Sequence, residues 1–216
     1  MKRKHILFST ILLTVTLVAV IACNGSSKKE TIPPITVSDT DANLQYATFS
    51  MGCFWHSEEI FLEIKGVKNA LPGYCGGTEA DPSYDLVGSG TTRYAESVDV
   101  AFDPAQISYE KLLEVFFAEH DPTTPDQQGP DEGPQYRSAI FYRNEAQREA
   151  AESYIKQISG RYPAPIVTEV APFKKFYRAE DYHLRYFRNH PDQPYIASVT
   201  KPEVEKFRKD FPELLP

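Results

Sequence analysis

Twice in this chain a short apolar strand pattern gives way to helical spacing and then to another strand pattern, and that order leaves few folds open. Gln45 to Ser50 reads as a strand, and Met51-Gly52-Cys53-Phe54-Trp55 leads into a helix. In that helix Phe54, Phe61, Leu62 and Ile64 recur at roughly helical spacing, with Glu58, Glu59 and Glu63 among them, up to Gly66. Val67 to Tyr74 is a second strand, closed by the Gly76-Gly77 turn, and residues 78–93 read as a polar loop. Ala95 to Phe102 alternates apolar and acidic residues as a half-buried strand does. Ser108 then caps a helix through Glu119, a Pro/Gly/Asp-rich loop runs from Asp121 to Pro134, and Ser138 to Tyr142 is a strand. Asn144 caps a polar helix to about Ser159, and Ile166 to Val170 is a further strand. The series predicts an α+β fold, a split βαβ (ferredoxin-like) two-layer sandwich with long loops. Residues 171–216 are expected to be irregular and partly helical, with Lys201 to Phe211 an exposed helix.

The N-terminus has to be set aside before the rest is folded. Lys2, Arg3 and Lys4 precede an apolar run, Ile6 to Val20, broken only by Ser9, Thr10, Thr14 and Thr16. The run ends in Ile21-Ala22-Cys23, a small residue directly before a cysteine, which resembles a bacterial lipobox. It is short for a comfortable transmembrane span of about 20 residues. The resemblance implies removal of residues 1–22 and a lipid on Cys23, with residues 23–43 as a solvated tether. The expected address is the cell envelope, with the domain outside the cytoplasm and held to the membrane only by lipid. The domain itself is expected to span 44–200, followed by the 201–216 helix and tail.

Loss of the leader removes three positive charges and no negative one, taking the formal charge from −7 to −10. So acidic a protein has no electrostatic footprint for nucleic acid. With Cys23 carrying lipid, Cys53 and Cys75 are the remaining thiols, too few for a disulfide framework, so their use is expected to be chemical.

Cys53 follows a glycine at a strand-to-helix junction, where unpaired N–H groups and the helix dipole favour a thiolate. Taken alone, that describes many buried structural cysteines. Its neighbours add more. Gly52-Cys53-Phe54-Trp55, Gly73-Tyr74-Cys75-Gly76-Gly77, Asp81-Pro82-Ser83-Tyr84 and Ser89-Gly90-Thr91-Thr92 with Ala95-Glu96 come in order. Gln128-Gly129 with Asp131, Gln135-Tyr136-Arg137-Ser138, and Ala179-Glu180-Asp181-Tyr182-His183 complete the series. Over about residues 46–187 the chain resembles the peptide methionine sulfoxide reductase A family.

The resemblance implies thiol-dependent reduction of methionine-S-sulfoxide, free or in peptides, with no cofactor. A sulfoxide needs a thiolate to attack sulfur, acids that hydrogen-bond its oxygen, and an apolar slot for the methyl group. Cys53 matches the family's nucleophile, Glu96 its carboxylic acid, and Tyr84 and Tyr136 its hydroxyl donors. Phe54 and Trp55 match the walls of the methyl slot, and Asp131 an acidic position near the substrate backbone or a bound water. Burial among aromatics would keep Glu96 protonated, as its role requires. Without the resemblance, Glu96 reads as an outward residue like Asp99, and the aromatics as core. His183 is expected to serve structural hydrogen bonding, and the five histidines lack metal-ligand spacing.

The chain also departs from the family. Many relatives carry resolving cysteines near the C-terminus, and some have one at the position of His56; residues 76–216 here hold none. Cys75 either attacks the oxidised Cys53 or is a filler in a turn where a small residue is common. In the second case an external thiol or thioredoxin-like protein is the reductant. His56 either steadies the Cys53 thiolate or is a neutral surface residue. Arg93-Tyr94 replaces the Gly-His usual before Ala-Glu. Two other readings compete: a cysteine hydrolase or acyltransferase using His56 or His183, and a lipid-anchored peptide-binding module without catalysis. A monomer is expected.

Overall fold

The structure, a computed structural model, describes residues 43–78 and 81–216. The leader 1–22, the lipidation position Cys23 and all but the last residue of the tether lie outside the described residues.

Strand β1 (Gln45–Met51) passes through Gly52 and Cys53 into helix α1 (Phe54–Leu62), and β2 (Val67–Cys75) follows. A short helix, α2 (Tyr84–Gly88), precedes β3 (Ala95–Phe102) and helix α3 (Tyr109–Ala118). A two-residue ribbon, β4 (Gln127–Gln128) with β5 (Asp131–Glu132), leads to β6 (Ser138–Tyr142) and helix α4 (Glu145–Ile158). Then come β7 (Glu169–Pro172), β8 (Phe176–Arg178), the one-turn α5 (Tyr186–Asn189) and α6 (Lys201–Asp210).

Six strands form one mixed sheet in the order β7-β6-β1-β3-β2-β8. β1 lies antiparallel between β3 and β6, β2 lies antiparallel between β3 and β8, and only β7 runs parallel to its neighbour β6. This is an α+β architecture. Because strand side chains alternate, the two faces of the sheet carry different residues. Phe49, Met51, Val98, Val100, Phe102 and Ile140 join α1, α3, α4 and α6 in the main core, where Phe49 stacks between Phe61 and Phe116 at 5.3 and 5.1 Å. Cys75, Ala139 and Phe141 form a second cluster covered by Phe173 and Phe176. Polar residues share that second face: Ser50 Oγ meets Ser97 Oγ at 2.7 Å, and Thr48 Oγ1 donates to Asp99 at 2.8 Å.

Helix starts follow their caps. Ser108 Oγ accepts the Lys111 N–H and Asn144 Oδ1 accepts the Gln147 N–H, each meeting an N–H that has no partner inside the helix. Ser83 caps α2 in the same way, inside the stretch 78–93 that reads as loop from its polar composition.

Three further expectations change. The strand expected at 166–170 pairs only from Glu169, where β6 runs beside it. β8, too short for any periodic signal, adds to the free edge of β2. The C-terminal helix is not simply exposed: Val204 and Phe207 reach the core, and the chain before it covers the polar side of α1, so Glu58 and Glu59 are buried.

Candidate active site

Gly52 turns the chain from β1 into α1 with φ +88°, a region open to glycine and costly for residues with a Cβ. A Cβ there would lie 2.6 Å from Gln128 Cγ, so the ribbon packs directly on the backbone before the cysteine. Cys53 occupies the N-cap of α1 and is 8% exposed. The Phe54 N–H, one of the donors that a helix start leaves unpaired, points to Glu96 Oε2 at 3.0 Å. Glu96 stands opposite Tyr74 in the register of β3 and β2 and is 2% exposed. The strand's alternation thus turns Glu96 inward and Asp99 to the opposite face.

Burial pushes the Glu96 carboxyl up to about 8, with the nearby Asp131 charge adding and the Phe54 N–H opposing. Glu96 is therefore mostly protonated at neutral pH. Burial also holds the Cys53 thiol well above its ordinary value, reinforced by the charges of Glu96 and Asp131; the Trp55 N–H and the Tyr195 hydroxyl pull the other way. Burial therefore opposes the thiolate that the start of the helix favours.

The phenols converge on the same point. Tyr84 begins α2, its N–H held by Glu180 Oε1 at 2.9 Å while Tyr74 donates its hydroxyl to Glu180 Oε2 at 2.8 Å. The Tyr84 ring lies 6.4 Å from Phe54 and 4.4 Å from His183. Tyr136 closes the turn 134–136. Both phenols are held above their ordinary range, first by burial and then by the negative charges of Glu96 and Cys53, which places them around the same two groups.

Trp55 forms the opposite side. Its ring stacks on Tyr186 at 4.0 Å and 10°, and its Nε1–H donates to His183 Nδ1 at 3.0 Å. Burial lowers His183 to about 4, so the ring is neutral and able to accept that bond. Tyr195 meets the edge of Trp55, donates its hydroxyl to Asp131, and lies beside Cys53.

Cys53, Phe54, Trp55, Tyr84, Glu96, Asp131 and Tyr136 are thus brought together from five segments. Cys75 is not among them. It lies on the other face of the sheet, its thiol donating to the Lys175 carbonyl at 3.3 Å and pushed up by burial to about 12. Both thiols are free. His56 is buried rather than on the surface, and its Nδ1 meets the Cys53 carbonyl at 3.2 Å, not the thiol. Tyr195, Tyr186 and the anchoring role of Glu180 were not foreseen, because the Pro-rich segment that holds the two tyrosines has no periodicity to set them apart. Among the described residues no cluster of three or more His, Cys, Asp or Glu is placed to hold a metal ion.

The sequence profile described as "PMSR: Peptide methionine sulfoxide reductase" matches residues 45–215. The peptide methionine sulfoxide reductase MsrA of Thermus thermophilus is 48% identical over 171 residues, 79% of this chain and 97% of that protein. That of Sulfolobus acidocaldarius is 46% identical over 170 residues, again 79% and 97%. The crystal structure of reduced Mxr1 from Saccharomyces cerevisiae aligns with a TM-score of 0.68 at 33% identity, covering 71% of this chain and 89% of that one. Methionine sulfoxide reductase A of Corynebacterium diphtheriae gives 0.65 at 31%, covering 70% and 77%. With the match running over nearly the whole folded part, the chain belongs to the peptide methionine sulfoxide reductase A family.

Proposed function

We propose that Cys53 is the nucleophile and Glu96 the proton donor in the reduction of methionine sulfoxide. The chain is a thiol-dependent peptide methionine sulfoxide reductase. The observation that carries the assignment of roles is the buried Glu96, kept protonated up to about pH 8 and bound to the first N–H of the helix that Cys53 caps. Phe54 and Trp55 wall the methyl group, and Tyr84 and Tyr136 join Glu96 in hydrogen-bonding the sulfoxide oxygen. Cys53 sulfur attacks the substrate sulfur as Glu96 protonates the oxygen, which makes that oxygen a competent leaving group. The substrate S–O bond and the transient S–S bond then break as the oxygen passes to Cys53 to give a sulfenic acid, the thiol proton returns to Glu96, and the sulfide leaves; the enzyme sulfur is oxidised by two electrons and the substrate reduced by two. The S epimer, peptide-bound or free, is the substrate implied by family membership. Asp131 acts through Tyr195, which touches both Asp131 and Cys53.

A thiol then attacks the sulfenic acid, releasing water and forming a disulfide. The far-face position of Cys75 favours an external donor, a small thiol or a thioredoxin-like dithiol, whose second thiol frees Cys53. The hydrolase reading loses support because His56 faces a carbonyl and His183 is engaged by Trp55. Export and a lipid on Cys23 rest on the leader's sequence; among the described residues no helix is long and apolar enough to cross a membrane. The strands β6-β1-β3-β2, all antiparallel, with α1 and α3 as crossovers, support a ferredoxin-like split βαβ reading of the fold.

The test is turnover of synthetic peptides containing each sulfoxide epimer, with dithiothreitol as reductant. Consumption of the S epimer and a sulfenic acid on Cys53 after one equivalent of substrate are expected. A Cys53–Cys75 disulfide, lighter by one water, would return the resolving role to Cys75. A folded protein inert toward both epimers would remove the assignment.

A further inference from the structure

Three acids of α1 and its C-cap, Glu58, Glu59 and Glu63, meet arginines of the C-terminal segment. Arg188 Nε meets both oxygens of Glu59 at 3.0 and 2.8 Å, and Arg208 Nε meets Glu63 at 2.8 Å. These are contacts between side chains. Glu58 differs, because it holds backbone: its Oε2 accepts the Arg185 N–H at 2.8 Å, and its Oε1 accepts Arg185 Nη1 at 3.3 Å.

Arg185 has φ +55° and ψ +33°, left-handed values that a residue with a Cβ adopts only when its surroundings impose them. The two Glu58 bonds supply that constraint. The chain reverses at this residue between the turn that carries His183 and the helix that begins with Tyr186. Those two side chains are the ones that fix the Trp55 indole, His183 by accepting its N–H and Tyr186 by stacking on its face.

We propose that Glu58 is a positioning residue for this reaction: by holding the left-handed backbone of Arg185, it seats His183 and Tyr186 against Trp55 and so sets the width of the methyl slot. This rests on the reading of Trp55 as a wall of that slot. Glu58 touches no reacting atom. It acts two contacts away, and its effect falls on substrate binding rather than on the attack.

Trp55 is the single tryptophan of the chain, so its fluorescence reports the stack directly. In Glu58→Ala the emission is expected to shift to the red, and KM for a methionine sulfoxide peptide to rise about fivefold, the scale of a lost ring-on-ring contact, with kcat within about twofold. Glu58→Gln keeps an oxygen for the Arg185 N–H and should recover most of both readouts. Arg185→Gly keeps that N–H and suits the left-handed turn, so its loss should be smaller than that of Glu58→Ala. Arg188→Ala, which frees no backbone, should move neither readout. Wild-type emission in a folded Glu58→Ala protein overturns the proposal. So does a shifted emission with unchanged KM, provided Trp55→Leu raises KM. If Trp55→Leu leaves KM unchanged, the assignment of Trp55 to the slot fails instead. Should Glu58→Ala not fold, Glu58→Met, which fills the same space without an acceptor oxygen, is held to the same two readouts against Arg188→Ala: changes no larger than the control's overturn the proposal, and a red shift with a raised KM upholds it.

Discussion

Strand β3 carries one acid on each face of the sheet, and the two have opposite surroundings. Asp99, on the face away from the helices, accepts hydrogen bonds from Thr48 and from Arg143 at 2.5 Å, and that guanidinium lies over the Phe173 ring. Glu96, on the helix face, has an amide donor and no lysine or arginine paired with it among the described residues. The cysteines repeat the division. Burial raises both thiols, so a perturbed thiol does not by itself mark the reactive one. Nor does open space, since a cavity of about 350 Å³ borders Cys75. What the helix face has and the other lacks is a protonated carboxyl and two phenols aimed at one sulfur.

The sharpest way to break this contrast is to exchange the cysteines' fates. Cys53→Ser is expected to lower single-turnover reduction by about four orders of magnitude or more, the scale seen when a nucleophile is removed. Cys75→Ser should keep the rate within about twofold under dithiothreitol and cost only about 1 kcal/mol of stability, from a hydroxyl in an apolar cluster. Equal losses in the two variants would mean that both faces take part in the chemistry.

Glu96→Gln comes next, with an expected loss of about 10²- to 10⁴-fold, the range for a missing general acid. The wild-type rate should fall as pH rises through about 8, where Glu96 ionises, and the variant should lack that limb. Stability carries the same signature. The folded pKa lies above the ordinary 4.5, so the folded chain holds the proton more tightly, and stability is lost as pH rises from about 4.5 to about 8. Glu58 is raised by burial to about 8 as well, so Glu96→Gln should remove only part of that slope, as denaturant titrations at several pH values would show.

How much of this was legible beforehand depends on the kind of signal. β1, β2, β3 and β6 were readable as short apolar-rich runs bounded by turn residues, and α3 and α4 because Ser108 and Asn144 announce them. The inward turn of Glu96 was not readable from β3 alone, since alternation gives two faces without saying which one meets the helices. The ordered motifs of the family resolved it. The burial of the α1 acids Glu58 and Glu59 was not readable, because a helix covered by a later segment of chain shows the same charged stripe as one that faces water. Tyr186 and Tyr195 had no signal: their places are fixed by Arg185 and Asp131, contacts made across 127 and 64 residues of chain.

The phenols refine the contrast further. Tyr84→Phe and Tyr136→Phe should each lower kcat/KM by about tenfold, the worth of one hydrogen bond to a developing charge. Because both act on one oxygen with Glu96, the double variant should depart from the product of the singles. Strict multiplicativity would place the two hydroxyls on different atoms.

The smallest expected effect on catalysis belongs to the opposite face, and it tests whether the sheet really separates two functions. Asp99→Asn leaves Arg143 over Phe173 without its carboxylate, and keeps an oxygen for the Thr48 hydroxyl. The pair is partly open to solvent, so the loss should be about 1–2 kcal/mol of stability, read as a lower midpoint in denaturant. The kcat/KM of the folded protein should stay within about twofold, because Asp99 lies on the face of β3 opposite Glu96. The argument runs through β3 itself. Residues 96 and 99 share one strand, paired to β2 at both positions and to β1 at residue 99, and a rigid ladder carries little of a side-chain change from one face to the other. A loss of activity in Asp99→Asn comparable to that in Glu96→Gln would mean the strand shifts when its outer acid is altered, and the placement of Glu96 would then depend on both faces at once.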